Sequence, residues 1–305
     1  LDTLRKDYFD NYFDWLPGIR YEHAWTTAQY TIPAHASLLT GLYPSEHGVH
    51  SKSEILDCDL DLLTEQLSNA GYTTLAITSN LLMSPAFGFD RGIDEFYFSG
   101  RAQTLSGEIY PWQEGVASSL DRGVLRDLRL ILDCVTSNYD TFQSLKFGLR
   151  LKRNRFNGIE DTIETVSNIE FGSDEFLLIN TMEAHGPYEP PDEYRTTDYE
   201  SKYIESRIQI KNSDDLCNDR IAYRDSVRYL SDRYQILFDK LSDEFDIIIT
   251  LADHGELFGE YATSGHYYGV PPELANIPLS LYTGPGADDK KVNNPTSILD
   301  VHKTV

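Results

Sequence analysis

Two neighbouring residues of the sequence, Asp253 and His254, have the types and spacing of metal ligands. They directly follow the apolar run 246–251, and Gly255 after them lets the backbone turn away. A carboxylate oxygen and an imidazole nitrogen suit Zn, Mn, Ca or Mg to differing degrees. An Asp-His-Gly triplet is equally consistent with a turn capped by the aspartate. His266, in the Gly-rich loop that follows, favours the metal-binding interpretation.

A hydroxyl residue, Thr31, begins a second segment of interest. Residues 31–41 predict an extended, proline-fixed turn that leads into a short helix. Free N–H groups and the positive end of the helix dipole favour an oxyanion at such a position. The residue types alone leave two interpretations open, a reactive hydroxyl and a simple N-cap, because threonine is common as an N-cap.

The elements that must position these residues follow a recurring order of helix and then buried strand. Helical spacing of apolar residues predicts each helix, and a short apolar or β-branched run predicts each strand. The predicted pairs are 59–70 with 73–78, 157–169 with 176–180, and 221–241 with 246–251. Strands that are apolar on both faces and separated by helices indicate an α/β fold with a mainly parallel sheet covered on both sides.

Ligands of such a sheet bind beyond the carboxyl ends of its strands. The polar residues at these positions are Glu183 and His185 after the 176–180 strand, and Asp253 and His254 after the 246–251 strand. Asp2 is expected to follow a strand whose earlier part is missing. All of them should therefore meet at one edge of the sheet.

The composition limits the classes of protein and partner. The 305 residues, 40% of them hydrophobic, predict one α/β domain over 1–305, in which the less regular 99–156 forms an insertion or a substrate-side lobe. Three widely spaced cysteines argue against a disulfide framework or a zinc knuckle. No apolar stretch approaches the length of a membrane span, so a soluble domain, cytoplasmic or at the cell surface, is expected.

The net charge of the chain argues against nucleic acid and anionic membranes as partners. Its net charge is −23, with 49 acidic and 26 basic residues, and the acidic residues are scattered. Such a surface repels nucleic acid and anionic membranes. A halophilic source would explain it, because screening at high salt removes the repulsion between carboxylates.

Several ordered segments resemble one enzyme superfamily. Residues 31–49 are similar to the sulfatase signature, in which a cysteine or serine and then x-Pro-Ser-Arg precede Leu-Leu-Thr-Gly. Further segments resemble the family's motifs in the family's order: 1–5, 88–96, 182–188, 252–256 with 265–266, and 297–301. The resemblance to the alkaline phosphatase and sulfatase superfamily covers essentially the whole chain. It implies a three-layer α/β/α sandwich and a metal-dependent ester hydrolase of phosphoric or sulfuric esters.

Three departures from the sulfatase pattern alter the expected chemistry. Thr31 stands where sulfatases convert cysteine or serine to formylglycine, His35 replaces the signature arginine, and Thr3 replaces the second residue of an Asp-Asp pair. Threonine nucleophiles are found in the phosphodiesterase and phosphoethanolamine-transferase branches of the superfamily. The resemblance therefore implies transfer or hydrolysis of phosphate esters or diesters through a covalent Thr31 intermediate.

The expected site follows from the same resemblance. One divalent ion is expected to bind Asp2, Asp253 and His254, with Thr31 as a further ligand. His185 and His266 would stabilise the transferred group or hold a second metal ion, and His35 would take the place of the arginine. The expected substrate is a small-molecule ester or one linked to a glycan or lipid. Hydrolysis of sulfate esters without formylglycine and a catalytically silent binding module are the rival hypotheses.

Overall fold

The computed structural model describes residues 1–112, 115–116, 119, 123–152, 158–199, 213–266, 268–286 and 289–305. Its α-helices are α1 Lys6–Tyr12, α2 Thr31–Thr40, α3 Pro44–His47, α4 Leu63–Ala70, α5 Val124–Thr136, α6 Thr141–Lys152, α7 Gly158–Asn168, α8 Ser213–Ser242, α9 Pro272–Ala275 and α10 Leu299–Thr304. Its strands are β1 Ile19–Tyr21, β2 Ala24–Trp25, β3 Thr73–Thr78, β4 Glu95–Phe98, β5 Glu175–Asn180, β6 Ile248–Leu251, β7 Leu257–Phe258, β8 Ser264–Gly265, β9 Asn276–Ile277, β10 Leu279–Tyr282, β11 Lys290–Val292 and β12 Thr296–Ser297.

The three predicted helix and strand pairs are present, with changed ends. The first helix starts at Leu63, four residues later than expected, because Leu62 is its N-cap and the Glu65 carboxylate accepts a hydrogen bond from the Leu62 N–H at 2.8 Å. It ends as expected at Gly71, whose φ of 99° suits only glycine at low cost. The second helix, α7, begins at Gly158, and the predicted first residue, Asn157, lies outside the described residues.

Two main sheets form the strand layer. In the first, β3 lies between β4 and β5 and pairs with both in parallel. The second has the order β11-β1-β10-β6, in which β10 runs antiparallel to both of its neighbours. Helices α4 and α7 precede the parallel strands β3 and β5, as the sequence pattern predicted. The α/β class and the parallel strand pairing are confirmed.

Strand β5 shows how the sheet is covered on both faces. Leu177 and Ile179 pack against the large apolar cluster that contains α1, α7 and α8 residues such as Phe9 and Tyr223. Phe176 and Leu178 pack against a second cluster, which contains residues of α2, the first residue of α4 and the loops around them. Successive side chains of a strand point to opposite faces, so helices must lie on both sides of β5. This is the three-layer arrangement of the predicted fold.

The first two residues of the chain lie between the carboxyl ends of β5 and β6. The amino group of Leu1 donates to the Leu251 carbonyl at 2.8 Å, and the Asp2 N–H donates to the Thr181 carbonyl at 2.9 Å. Asp2 is therefore fixed at the strand-end position that the sequence pattern predicted. Its side chain is almost completely buried, with 1% of the residue surface exposed.

Helices α5 and α6 form a hairpin with its own small core. Trp112, Leu130, Cys134 and Phe147 make up most of that core, which is distinct from the two clusters at the sheet. The hairpin lies within the predicted 99–156 lobe, part of which falls outside the described residues, and its status as an insertion stays a prediction. Among the described helices, none has the length and apolarity to cross a bilayer.

Candidate active site

Asp2, Asp253 and His254 lie together at the carboxyl edge of the strands. One ligand atom from each side chain lies within 4.8 Å of the others, and all three residues are buried. The His254 Nε2 atom is 3.4 Å from Asp253 Oδ2 and 4.0 Å from Asp2 Oδ1. We call these three residues the carboxylate–histidine cluster. Residues about 250 positions apart in sequence thus meet where the pattern predicted a metal site.

The unpaired polar atoms of this cluster test whether it fits a metal ion. Asp2 Oδ1, Asp253 Oδ2 and His254 Nε2 are all buried and all lack a hydrogen-bond partner. Buried polar atoms are almost always paired, because an unpaired one costs about 1–3 kcal/mol. Three such atoms that face each other fit a divalent cation, and two oxygens with one imidazole nitrogen are a donor set that zinc or manganese accepts.

The tautomer of His254 also fits a metal ligand. Its Nδ1 lies 2.9 Å from the Gly255 carbonyl, which can only accept, so Nδ1 carries the proton and Nε2 offers its lone pair to the cluster. Burial lowers the pKa of this imidazole, but the carboxylates of Asp253 and Asp2 outweigh that effect and the pKa is raised. Burial raises the pKa of Asp253, and His254 and His35 reverse the shift to a lowered pKa.

Thr31 reaches the cluster from the start of α2. Its hydroxyl donates a weak hydrogen bond to Asp2 Oδ2 at 3.4 Å, and 3% of the residue is exposed. The N-cap of α2 is Tyr30, whose φ and ψ of −153° and 163° are extended, and Thr31 is the first helical residue. The hydroxyl therefore does not serve as the N-cap of α2.

Thr3 turns the backbone so that Asp2 faces Asp253. Its φ of 56° lies in the left-handed region, which a β-branched residue rarely adopts. The Thr3 N–H donates to Asp253 Oδ1 at 3.2 Å, and its hydroxyl donates to the Ala184 carbonyl at 2.6 Å. The buried Tyr223 hydroxyl donates to the Thr3 carbonyl at 2.9 Å. These contacts hold the strained turn, so Thr3 acts on the site through its backbone.

The remaining predicted histidines divide between two sides of the cluster. The ring of His266 lies 4.6 Å from that of His254 and 5.4 Å from that of His185, measured between centroids. His266 Nδ1 is 3.2 Å from Glu256 Oε2, which also accepts a hydrogen bond from Tyr188. Three imidazoles are therefore adjacent, and the roles of His185 and His266 at a reacting group stay a prediction.

His35 lies on the other side. Its Nδ1 is 2.9 Å from the Thr31 carbonyl and 3.7 Å from Asp253 Oδ2. The residue is 5% exposed, and its ring meets Phe89 edge-on. This placement puts His35 behind the cluster, in contact with Asp253, instead of in the cavity described below.

A sequence profile of the sulfatase family matches residues 12–305. The chain belongs to the sulfatase family. The matched range begins after Asp2, so the placement of Asp2 rests on the structure. No curated protein matches the chain in sequence.

Solved structures of this superfamily share the fold at low sequence identity. The phosphonate monoester hydrolase SpPMH from Silicibacter pomeroyi has a TM-score of 0.68 and 16% identity, over 99% of this chain and 70% of that one. The zinc complex of the C-terminal periplasmic domain of EcEptC from Escherichia coli has a TM-score of 0.59 and 14% identity, over 99% of this chain and 78% of that one. BT4656, bound to its substrate D-glucosamine-2-N,6-O-disulfate, has a TM-score of 0.58 and 14% identity, over 98% of this chain and 70% of that one.

A cavity of about 290 Å³ opens beside the cluster of this sulfatase-family chain. Its lining is largely apolar, and the polar and charged groups in it include those of Asn80, Arg101, Glu183, His185 and Tyr229. Burial raises the pKa of Glu183 to about 7, although its Oε1 accepts a hydrogen bond from the Ile159 N–H at the start of α7. The cavity is therefore a candidate binding space next to the cluster.

Asn80 is a site residue that the sequence analysis missed. Its Nδ2 donates to Asp2 Oδ2 at 2.6 Å, which orients the carboxylate next to Thr31. Asn80 follows β3 as Asp253 follows β6, so the rule of polar residues after an apolar run could have found it. The sequence indicated Glu256 only as part of the 252–256 motif, and its contact with His266 is seen only in the structure.

Proposed function

We propose that this sulfatase-family protein is a metal-dependent hydrolase or transferase of phosphate esters or diesters, with Thr31 as the nucleophile. The single observation that carries the proposal is the set of three unpaired buried ligand atoms beside the Thr31 hydroxyl. Asp2, Asp253 and His254 would hold the ion, with Thr31 as a fourth ligand. A divalent ion bound there supplies Lewis acidity and lowers the pKa of a hydroxyl that it contacts.

The reaction divides into two displacements at phosphorus. Thr31 Oγ1 forms a bond to phosphorus, the bond to the ester oxygen breaks, and that oxygen leaves with the electron pair and takes up a proton from solvent. The Thr31 proton leaves along the hydrogen bond to Asp2 Oδ2. Water or an acceptor alcohol then attacks the phosphothreonine, loses its proton, and releases Thr31 Oγ1 to be protonated again.

Other residues of this chain bind and orient the transferred group. Asn80 fixes the Asp2 carboxylate through its 2.6 Å hydrogen bond. His185 and His266 lie next to one another beside His254. The Nδ1 atom of His185 is bonded to the Gly186 carbonyl and that of His266 to the Glu256 carboxylate, so Nε2 is the atom that each ring would turn to the transferred group. It would donate to a phosphoryl oxygen from a protonated ring, or bind a second metal ion from a neutral one. Arg101 lines the cavity and lies 3.7 Å from the Glu189 carboxylate of the same lining, so an anionic substrate would bind Arg101 in competition with Glu189.

The residue at position 31 favours phosphate over sulfate esters. Oxidation of a threonine gives a ketone instead of the formylglycine aldehyde, so Thr31 attacks as a hydroxyl. The fold of this chain is shared by a phosphonate monoester hydrolase, which supports phosphorus chemistry. It is shared also by a protein that binds a sulfated sugar, so the sulfate ester is the competing substrate class.

Parallel assays decide between these substrates. The protein, stripped of metal and then supplied in turn with Zn, Mn, Mg or Ca, should hydrolyse an aryl phosphate or phosphodiester faster than the matching aryl sulfate. Mass spectrometry of the acid-quenched enzyme should find phosphate on the peptide that contains Thr31. Faster turnover of the aryl sulfate would establish the sulfatase alternative. Absence of both metal binding and turnover would establish a silent binding module.

A further inference from the structure

One side of the cavity is formed by a short 3₁₀ helix, Gly100–Leu105, which follows strand β4. We call this segment the cavity wall. Its first two residues, Gly100 and Arg101, line the cavity. Arg101 brings a guanidinium to this lining, a group that pairs well with the oxygens of phosphate and similar anions. The N-cap residue of the wall, Ser99, makes no side-chain cap, so another group must bind the first N–H of the wall.

Asp161 of helix α7 supplies that group. Its Oδ2 atom accepts hydrogen bonds from the Gly100 N–H at 3.1 Å and from Gln103 Nε2 at 2.9 Å. Asp161 is 5% exposed, so little water competes for these bonds. Arg101 lies in sequence between the two residues that Asp161 binds. The backbone position of Arg101 therefore depends on the Asp161 carboxylate.

The wall also packs closely on the start of α7. A Cβ atom at Gly100 would lie 3.1 Å from Gly158 Cα, and the φ of Gly100 is 54°, a left-handed value that glycine adopts at little cost. Next to Gly100, the Ser99 hydroxyl lies 2.7 Å from the Ser79 hydroxyl at the end of β3. Movement of the wall would therefore break contacts with α7 and with the residues that follow β3.

A residue of the α5–α6 hairpin holds Asp161 in turn. Arg150 of α6 donates to Asp161 Oδ1 at 2.6 Å. A buried carboxylate requires such a charged partner, because the loss of water is costly for an unpaired charge. The contacts thus run from the hairpin through Asp161 to the wall that carries Arg101. A second ion pair between the hairpin and α7, Lys146 with Glu164 at 3.7 Å, is exposed and includes no residue of the wall.

We propose that Asp161 is a positioning residue for substrate binding, which holds the cavity wall so that Arg101 can bind the anionic part of the ester. This role rests on the proposed function, which makes an anionic ester the ligand of the cavity. Arg101 lies 3.7 Å from Glu189, and a fixed wall keeps the guanidinium where the substrate can take over from that carboxylate. Helix α6 then contributes to substrate binding through Arg150.

A double-mutant cycle between Asp161 and Arg101 tests this role. Asp161→Asn keeps the shape of the side chain but has one oxygen instead of two, so it cannot satisfy Arg150 on one side and Gly100 on the other. For the aryl ester that is turned over fastest, it should raise KM by about fivefold to tenfold and change kcat by less than about twofold. Arg101→Ala should raise KM at least as much. In the Arg101→Ala background, Asp161→Asn should add nothing, since its effect passes through Arg101.

Equilibrium binding separates this role from the proposed function. Phenylphosphonate has an anionic group but no ester bond, so calorimetry can measure its Kd for the full chain supplied with Mn whether or not any ester is turned over. The Kd should change across the variants as KM does. Lys146→Ala is the matched control, because it removes another contact between a hairpin cation and α7, and it should leave Kd and KM unchanged.

Far-UV circular dichroism establishes that each variant is folded. If Asp161→Asn unfolds, Gln103→Leu gives a second test. It removes one of the two hydrogen bonds from the wall to Asp161 and should raise Kd and KM by about twofold to threefold.

Three results would overturn the proposal. One is a wild-type protein that binds phenylphosphonate no more tightly than Arg101→Ala does, since Arg101 would then not bind the anion. Another is an Asp161→Asn variant with the Kd and KM of the wild type. The third is an equal effect of Asp161→Asn in the wild-type and Arg101→Ala backgrounds. It would show that Asp161 acts through another group of the cavity, such as the Glu183 carboxylate.

Discussion

The carboxylate–histidine cluster and the α5–α6 hairpin depart from ordinary packing in opposite ways. The cluster buries polar atoms without partners, and the hairpin exposes apolar side chains without a cover. Each arrangement costs free energy in the isolated chain, the first by lost hydration and the second by apolar surface left in water. The unpaired atoms of the first fit a bound cation, whereas the apolar side chains of the second are exposed in the described part of the chain.

The two regions also differ in how firmly they are held. Hydrogen bonds at the ends of three strands and the turn at Thr3 hold the cluster in place. It lies beside the largest apolar core of the protein. The hairpin has a core of a few residues and contacts α7 through ion pairs. Changes in the cluster should therefore affect chemistry with little change of fold, and changes on the exposed face of the hairpin should leave the chemistry of the cluster unchanged.

The largest effect is expected at Thr31. Thr31→Ala removes the attacking oxygen, so turnover should fall by about three or more powers of ten, while metal affinity, supported by the cluster, weakens only modestly. Thr31→Ser keeps the hydroxyl and should retain substantial activity. Steady-state kinetics and calorimetric metal titration measure the two quantities. Near-normal turnover of Thr31→Ala would leave a water molecule as the attacking group.

Asp253→Asn should lower both metal binding and stability. It removes one carboxylate of the cluster, so metal affinity and kcat/KM should fall by about 10²-fold. The lowered pKa of Asp253 means that the fold favours its ionised form, so at neutral pH the metal-free variant should also be less stable than the wild type. Asp225→Asn is the matched control, because Asp225 is equally buried but binds Thr196 and Arg224. It should lower stability and leave metal binding unchanged. Thermal unfolding with and without metal measures both, and an unchanged metal affinity of Asp253→Asn would contradict the cluster's role.

Asn80→Ala should have a smaller effect. It removes the 2.6 Å hydrogen bond that orients Asp2 but no proposed ligand, so kcat/KM should fall by about 10-fold to 100-fold. Asn80→Asp would place a further negative charge against Asp2. At low metal concentration it should lower activity more than Asn80→Ala does, and excess metal should restore part of that activity. Equal activity of Asn80→Ala and wild type would show that the cluster positions Asp2 without Asn80.

Salt should produce the mildest change, spread over the whole surface. If the net charge of −23 reflects a halophilic source, the melting temperature should rise steadily from low salt to molar KCl as the repulsion is screened. A melting temperature that is flat or falls would remove the argument for a halophile.

The sequence by itself determined the α/β class, the parallel strands and the main site motifs. These features depend on local patterns: a period of 3.6 or 2 residues, a Gly at a helix end, and a polar residue after an apolar run. Asp253 and His254 directly follow β6, and Thr31 opens α2, as the motifs indicated. Their neighbours along the chain were enough to place them.

Only the tertiary structure decided which groups meet. Asn80 on Asp2, His35 against Asp253, and the Thr3 turn held by Tyr223 join positions that are 78 to 220 residues apart. The same holds for the hairpin, whose two apolar stripes look alike in sequence until packing buries one and exposes the other. Periodicity specifies which face of an element is apolar, but the partner of that face is set by how all the elements pack together.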